Sequence, residues 1–266
     1  MKPDYERHGN GPALVLIHGA FSDHRSNWEF VLPMLTQHFT VYAIARRGRG
    51  ASAKTTDHSI EDEARDAAEL IESIGGRVFL LGHSYGAHVA LLTATMVPDR
   101  IRKLVVYEPS RNGIFADVIW NTLMDYTKRQ DWDNFAATFF GMVLFVPTAE
   151  LEAARASEQI WRPILEDAEA TVQDLRAIRE YDFDASRFES IRIPVLLQMG
   201  SESPRHLWAT DDLAWVLPDV TIGVLEGQGH EGMTTAPEQY AEAVIGFLAP
   251  NTAVPKANTA VAQVVA

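Results

Sequence analysis

The sequence predicts an α/β fold, a parallel sheet covered by helices on both faces and interrupted by a helical insertion. Three observations predict it: short, continuous apolar runs, helical patterns that alternate with them, and one long stretch without any such run. Ala13 to His18 (ALVLIH) is the first clear run, and Phe39 to Ala43, Val78 to Leu81, Leu104 to Tyr107, Val195 to Met199 and Val220 to Leu225 repeat it. Runs this short and this uniformly apolar suit strands buried on both faces. Between them, Ser59 with Asp62 forms a capping box opening an amphipathic helix to about Ile74, which Gly75-Gly76 ends. Tyr85 to Val97 gives a second helix stopped by Pro98, and Pro237 to Leu248 a last one with proline in its first turn. Strand–helix alternation implies right-handed crossovers and a sheet covered on both sides.

Residues 111–190 break the rhythm. They contain helical segments at about Phe115 to Lys128, Asp133 to Val143, Ala149 to Ala156 and Glu158 to Arg179, with aromatic side chains throughout. The stretch reads as a helical cap, or lid, inserted into a core formed by residues 1–110 and 191–250. The Ala- and Val-rich residues 251–266 read as a flexible tail.

Composition narrows the function. With 47% hydrophobic residues the chain of 266 residues can bury a substantial core. A net charge of −13 argues against nucleic acid and anionic lipid as partners. No cysteine is present, which excludes disulfides and thiol nucleophiles. No window approaches the roughly 18 apolar residues of a membrane span, and the first ten residues are polar, so the cytoplasm is the expected compartment. No His/Asp/Glu spacing suggests a metal. No G-x-G-x-x-G opens a helix after a strand, so no nucleotide cofactor is expected.

The most specific motif is Gly82-His83-Ser84-Tyr85-Gly86, between an apolar strand and a helix. This is the context in which a serine on a sharp turn stands clear of the sheet as a nucleophile, with the helix N-terminus beneath the developing oxyanion. Acyl transfer needs two donors on that oxyanion. Tyr85 N–H supplies one, and the loop after His18-Gly19 the other, from Ala20 with Phe21 as second choice. His18 itself reads as structural.

These motifs, with ARRGRGAS (Ala45 to Ser52), YEPS (Tyr107 to Ser110), IPVLLQMG (Ile193 to Gly200) and GQGHEG (Gly227 to Gly232), resemble the α/β-hydrolase superfamily in its capped, lipase- and esterase-like branch. The resemblance implies a mostly parallel sheet of about seven to eight strands, with a strand near Tyr5 to His8 and the first family strand absent. It implies His230 as general base, because the loop after the last strand carries it. His83, His88 and His206 are weaker choices. Most relatives place an aspartate where Ser203 stands here, and often an acidic residue where Ala45 stands. A minority take the acid from the end of the preceding strand, which selects Glu108, with Glu202 as runner-up. His24, Trp28, Phe21, Trp120 and Phe139 are candidate pocket residues. The arginines of RRGRG shape a turn rather than bind an anion.

The expected activity is hydrolysis of a small, largely apolar carboxylic ester through an acyl-enzyme, with no cofactor. Lactonase, carbon–carbon bond hydrolase, haloperoxidase-like activity and a non-catalytic ligand receptor are alternatives on the same fold. Aspartate-nucleophile relatives, haloalkane dehalogenases and epoxide hydrolases, are disfavoured by Ser84. Monomer and homodimer are both compatible with the sequence.

Overall fold

Alternating side chains on the central strands divide the apolar residues between two faces of one sheet. In the computed structural model, residues 3–52 and 57–249 are described, so the expected tail at 251–266 lies outside the described residues. The strands are β1 (Asp4–His8), β2 (Ala13–Ile17), β3 (Thr40–Ala45), β4 (Val78–His83), β5 (Ile101–Tyr107), β6 (Val195–Gly200) and β7 (Val220–Leu225). They form a seven-stranded sheet in the order β1-β3-β2-β4-β5-β6-β7. Only β1 runs antiparallel to its neighbour among these pairings.

Val15, Ile17, Leu80, Leu104 and Val106 face one layer, formed by α2 (Ile60–Ile74), α3 (Tyr85–Met96) and α8 (Thr210–Val216). Leu14, Leu16, Val41, Leu81 and Val105 face the other, formed by α1 (Leu32–Leu35) and α10 (Pro237–Leu248). Period-two alternation therefore holds within runs that are apolar at every position, as both faces are dry. Ser59 accepts from Asp62 N–H and the Asp62 side chain accepts from Ser59 N–H, so the capping box forms as predicted. The short α1 and α9 (Gly232–Thr235) carry too few turns for a periodic signal.

Between β5 and β6 lie α4 (Asp117–Arg129), α5 (Trp132–Thr138), α6 (Thr148–Ala156) and α7 (Glu158–Glu180), with no strand among them. Their apolar faces form a third cluster with Phe21, Leu207 and Trp208 of the core. The single helix predicted over Asp133 to Val143 is instead α5 followed by a widened π turn at Phe139–Val143. There Leu144 N–H reaches Phe139 O, and Phe139 and Phe140 both pack on the Phe21 ring, at 4.8 and 5.3 Å. No helix of the described residues is long and apolar enough to cross a membrane.

Three buried histidines make the fold sensitive to acid. Burial lowers His88 to about 3, although its ring bonds Ser110 Oγ at 3.1 Å. Burial likewise holds His18 and His83 well below the ordinary value, with Arg46 acting on the first and His230 on the second. These groups bind protons more readily in the unfolded chain, where histidine titrates near about 6.5. Their contribution to stability is therefore complete above that value and is lost as pH falls toward the folded values. Calorimetry should show Tm declining once pH drops below about 6.5, with net proton uptake on unfolding. A Tm that stays level from about pH 7 to 5 would contradict this.

Candidate active site

Strand β4 enters α3 through one residue, Ser84, whose backbone is left-handed at φ 54 and ψ −117. A non-glycine residue there is strained and persists only where its surroundings over-determine it. They do so here. Ser84 N–H donates to Tyr107 O at 2.8 Å, and a Cβ on Gly86 would stand 2.2 Å from Ile17 O. Glycine lets α3 approach β2 this closely, and Ser84 is left half-buried at the carboxyl edge of the sheet.

The next strand carries the carboxylate. Register pairs His83 with Tyr107, so Glu108 follows β5 beside Ser84, itself at positive φ (45) and fully buried. Its Oε1 accepts from Gly200 N–H at 2.8 Å, and its Oε2 lies 2.7 Å from His230 Nδ1. Because a carboxylate oxygen accepts, Nδ1 holds the proton and Nε2 keeps a free lone pair. Glu202 is placed elsewhere: exposed, with Oε1 3.3 Å from Ser201 Oγ. Ser203 is buried near the same turn.

His230 is held on several sides. Trp208 stacks on its ring with centroids 4.2 Å apart and planes 7° apart. His83, next to Ser84, has its ring 4.8 Å away and donates from Nε2 to His230 O at 3.1 Å. Tyr107 Oη donates to Gly229 O at 2.5 Å, pinning the loop to β5. Trp208 is pinned in turn by a bridge to Ser110, flanked by Arg111 N–H to Leu207 O and Ala209 N–H to Pro109 O.

The loop after β2 lies against the elbow, since a Cβ on Gly19 would come within 3.2 Å of Ser84 Cβ. Phe21 N–H is taken by Thr171 Oγ1 of α7 at 2.8 Å. Ala20 N–H has no hydrogen-bond partner among the described residues. Tyr85 opens α3, where a helix leaves its first N–H groups without an internal acceptor. His18 sits in the core, donating from Nδ1 to Gly19 O at 2.8 Å and accepting from Arg46 N–H at Nε2.

Phe21, Trp120 and Phe139 belong to the aromatic cluster of the insertion. His24 and Trp28, expected at the pocket edge, are corrected. Trp28 is fully buried in the core layer shared with Leu14, Leu35 and Val41, reached through the turn Ser26–Trp28. His24 is buried toward β1, with Nε2 3.8 Å from Glu6. His88 and His206 lie away from His230: His88 bonds Ser110, and the His206 ring packs on Phe145.

Sequence reasoning missed Trp208, Thr171 and Glu231. No local pattern marks them. Burial raises the Glu231 carboxyl to about 7, with His230 opposing and Glu108 and Glu150 adding to the rise. Two groups of described residues bring ligand-type atoms within 4.8 Å of one another: His83, His230 and Glu231, and His58, Glu63 and Asp174. In the second, Arg46 already supplies the positive charge, 3.1 Å from Glu63 and 2.6 Å from Asp174. In the first, His230 Nδ1 is committed to Glu108. The arginines of RRGRG are likewise occupied by carboxylates: Arg47 by Asp66, and Arg49 by Asp167 and Asp174.

Comparison with known proteins agrees with this architecture. The chain is 29% identical, over 92% of its length and 94% of the relative's, to a Caulobacter sp. (strain K31) protein bearing the name of a carbamate hydrolase. It is 27% identical, over 88% of its length and 95% of the relative's, to a pimeloyl-[acyl-carrier protein] methyl ester esterase of Nitrosomonas europaea. An alpha/beta hydrolase structure from Sphaerobacter thermophilus superposes with a TM-score of 0.78 at 29% identity, covering 92% of this chain and 95% of that one. Residues 14–243 match the alpha/beta hydrolase family, and the chain belongs to it as a hydrolase.

Proposed function

We propose that the chain is a serine hydrolase that cleaves the carboxylic ester of a small, largely apolar substrate through an acyl-enzyme. The observation that carries this reading is the 2.7 Å contact between His230 Nδ1 and Glu108 beside a serine held at φ 54. His230 Nε2 takes the Ser84 proton as Oγ attacks the ester carbonyl. Ala20 and Tyr85 N–H groups receive the oxyanion, and Glu108 stabilises the imidazolium. The imidazolium returns the proton to the leaving alcohol, and water, deprotonated by the same nitrogen, then releases the acid. The aromatic cluster that the insertion forms around Phe21, with Trp120 and Phe139 in it, supports an apolar acyl or alcohol group. The relatives named above bear the names of an ester-cleaving and a carbamate-cleaving enzyme, and the ester is the reading the apolar insertion supports.

Ser84→Ala should abolish turnover of p-nitrophenyl esters of short acids, and a fluorophosphonate probe should label the wild type at Ser84. Unlabelled, inactive wild-type protein would argue for a ligand receptor. Preferential turnover of a carbamate or lactone would move the substrate class.

Glu108→Gln is nearly isosteric, yet its amide would present N–H to Nδ1 and shift the imidazole proton to Nε2, the atom that must accept. Turnover should fall about 10³–10⁴-fold while the fold persists. Glu202→Gln should stay within a few-fold of wild type. The reverse pattern would transfer the role to Glu202.

Trp208 packs flat on the base, and such aromatic pairs contribute about 0.5–1.5 kcal/mol beyond area. Trp208→Leu should therefore lower kcat/KM by up to about tenfold, with fluorophosphonate labelling slowed in parallel. Equal rates would show that Glu108 alone fixes the ring.

A further inference from the structure

We propose that Arg46 of the core and Thr171 of the inserted helix α7 are positioning residues for the oxyanion-binding loop, joined through buried Asp167, Asp174 and Arg49. The inference deepens the acyl-transfer reading and rests on it.

A trans peptide fixes its N–H opposite its carbonyl. The Ala20 N–H shares a peptide plane with the Gly19 carbonyl, so whatever holds that oxygen aims that donor. Two donors hold it, His18 Nδ1 and Arg46 Nη2, each at 2.8 Å. Arg46 is the charged one. A guanidinium on the carbonyl also polarises the peptide and strengthens its N–H as a donor. The following peptide is fixed from the other direction, by Phe21 N–H on Thr171 Oγ1. Phe21 occupies left-handed backbone at φ 54, a state that needs such restraint.

The two anchors are one structure. Thr171 Oγ1 donates to Asp167 Oδ2 at 2.9 Å, and Arg49 bonds both Asp167 and Asp174, Nη2 reaching Asp174 Oδ2 at 2.7 Å. Asp174 accepts from Arg46 as well, at 3.0 and 2.6 Å on its two oxygens. Arg46 then bonds Glu63, and its guanidinium lies 4.2 Å from the centroid of the Tyr85 ring. Tyr85 Oη donates to the same Glu63 at 3.2 Å. A single buried charge cluster thus holds the peptide that carries the Ala20 N–H and also the side chain of Tyr85, whose backbone N–H is the other proposed donor. Its acidic centre, Asp174, comes from the insertion rather than from the sheet.

The test measures kcat and KM separately for an ester substrate, with the concentration of competent Ser84 set by fluorophosphonate end-point titration. Affinity for an alkylboronic acid, which forms a tetrahedral adduct on serine, is read alongside. Thr171→Val keeps the shape and removes the acceptor for Phe21 N–H. It should lower kcat by about tenfold, less than deletion of an oxyanion donor costs. KM should stay within about twofold, and boronate affinity should fall with kcat. Thr171→Ser should restore both. Arg46→Lys, which keeps charge but not the fork joining Gly19 O to Asp174, should reproduce the split and carries the test if the valine variant does not fold.

Wild-type kcat and boronate affinity in either variant, or a loss that serine does not rescue, would overturn the proposal. An active Ser84→Ala protein would instead overturn the acyl-transfer reading itself. If Ser84 is required and Thr171→Val is indifferent, only the positioning role falls.

Discussion

Asp174 is a fully buried carboxylate, and that constraint organises much of the molecule. Burial alone would raise its pKa, but Arg46 and Arg49 outweigh that and hold it below the ordinary carboxylate value. Burial disfavours both guanidinium groups, and the carboxylates around them, Asp174 first among these, more than compensate. Such a cluster adds little net stability over a well-packed apolar replacement, while breaking it costs about 3–5 kcal/mol, because an unpaired charge remains. It acts as a registration device. The loop after β3 supplies the cations, α7 supplies Asp167 and Asp174, and α2 adds Glu63, so the seating of the insertion on the core is tied to the pairing of these charges.

The carboxylate beside His230 is placed by strand register. Ser84 follows β4 and Glu108 follows β5, and the pairing of His83 with Tyr107 sets the two side by side. Gly200 N–H at the end of β6 then takes one carboxylate oxygen and leaves the other for the imidazole. The loop after β6 makes a different contact with the same imidazole. It brings Trp208 flat against the ring, and its backbone is stitched to Pro109 and Arg111 immediately after Glu108. One short segment therefore ties the Glu108 carboxylate and the stacking partner together.

What the sequence made legible was local. Apolar runs marked the strands, Ser59 and Asp62 marked a helix start, and the G-x-S-x-G pentapeptide marked a turn whose strain is chemically useful. These signals work because the residues involved are neighbours in the chain. The contacts that elude a sequence reading join distant loops. Thr171 meets Phe21 across 150 positions, and the Asp174 carboxylate meets Arg46 across 128. Neither side leaves a periodic trace: Thr171 and Asp174 look like ordinary residues of an amphipathic helix. Trp28 illustrates the opposite error. Proximity in sequence to the His18-Gly19 loop suggested a pocket residue, but after a single tight turn the side chain is wholly buried in a core layer.

The electrostatics of the site bear on how a reaction there would end. Burial pushes the Glu231 carboxyl up to about 7, with Glu108 and Glu150 adding to the rise and His230 opposing it, so a further negative charge beside it meets the same penalty. An ester is neutral and escapes that penalty, whereas the carboxylate formed by its hydrolysis does not. If Ser84 is the nucleophile as proposed, the field that tolerates the substrate works against retention of the product. The chain's net charge of −13 extends the same bias beyond the site. Acidic surroundings of this kind would then favour departure of the acid.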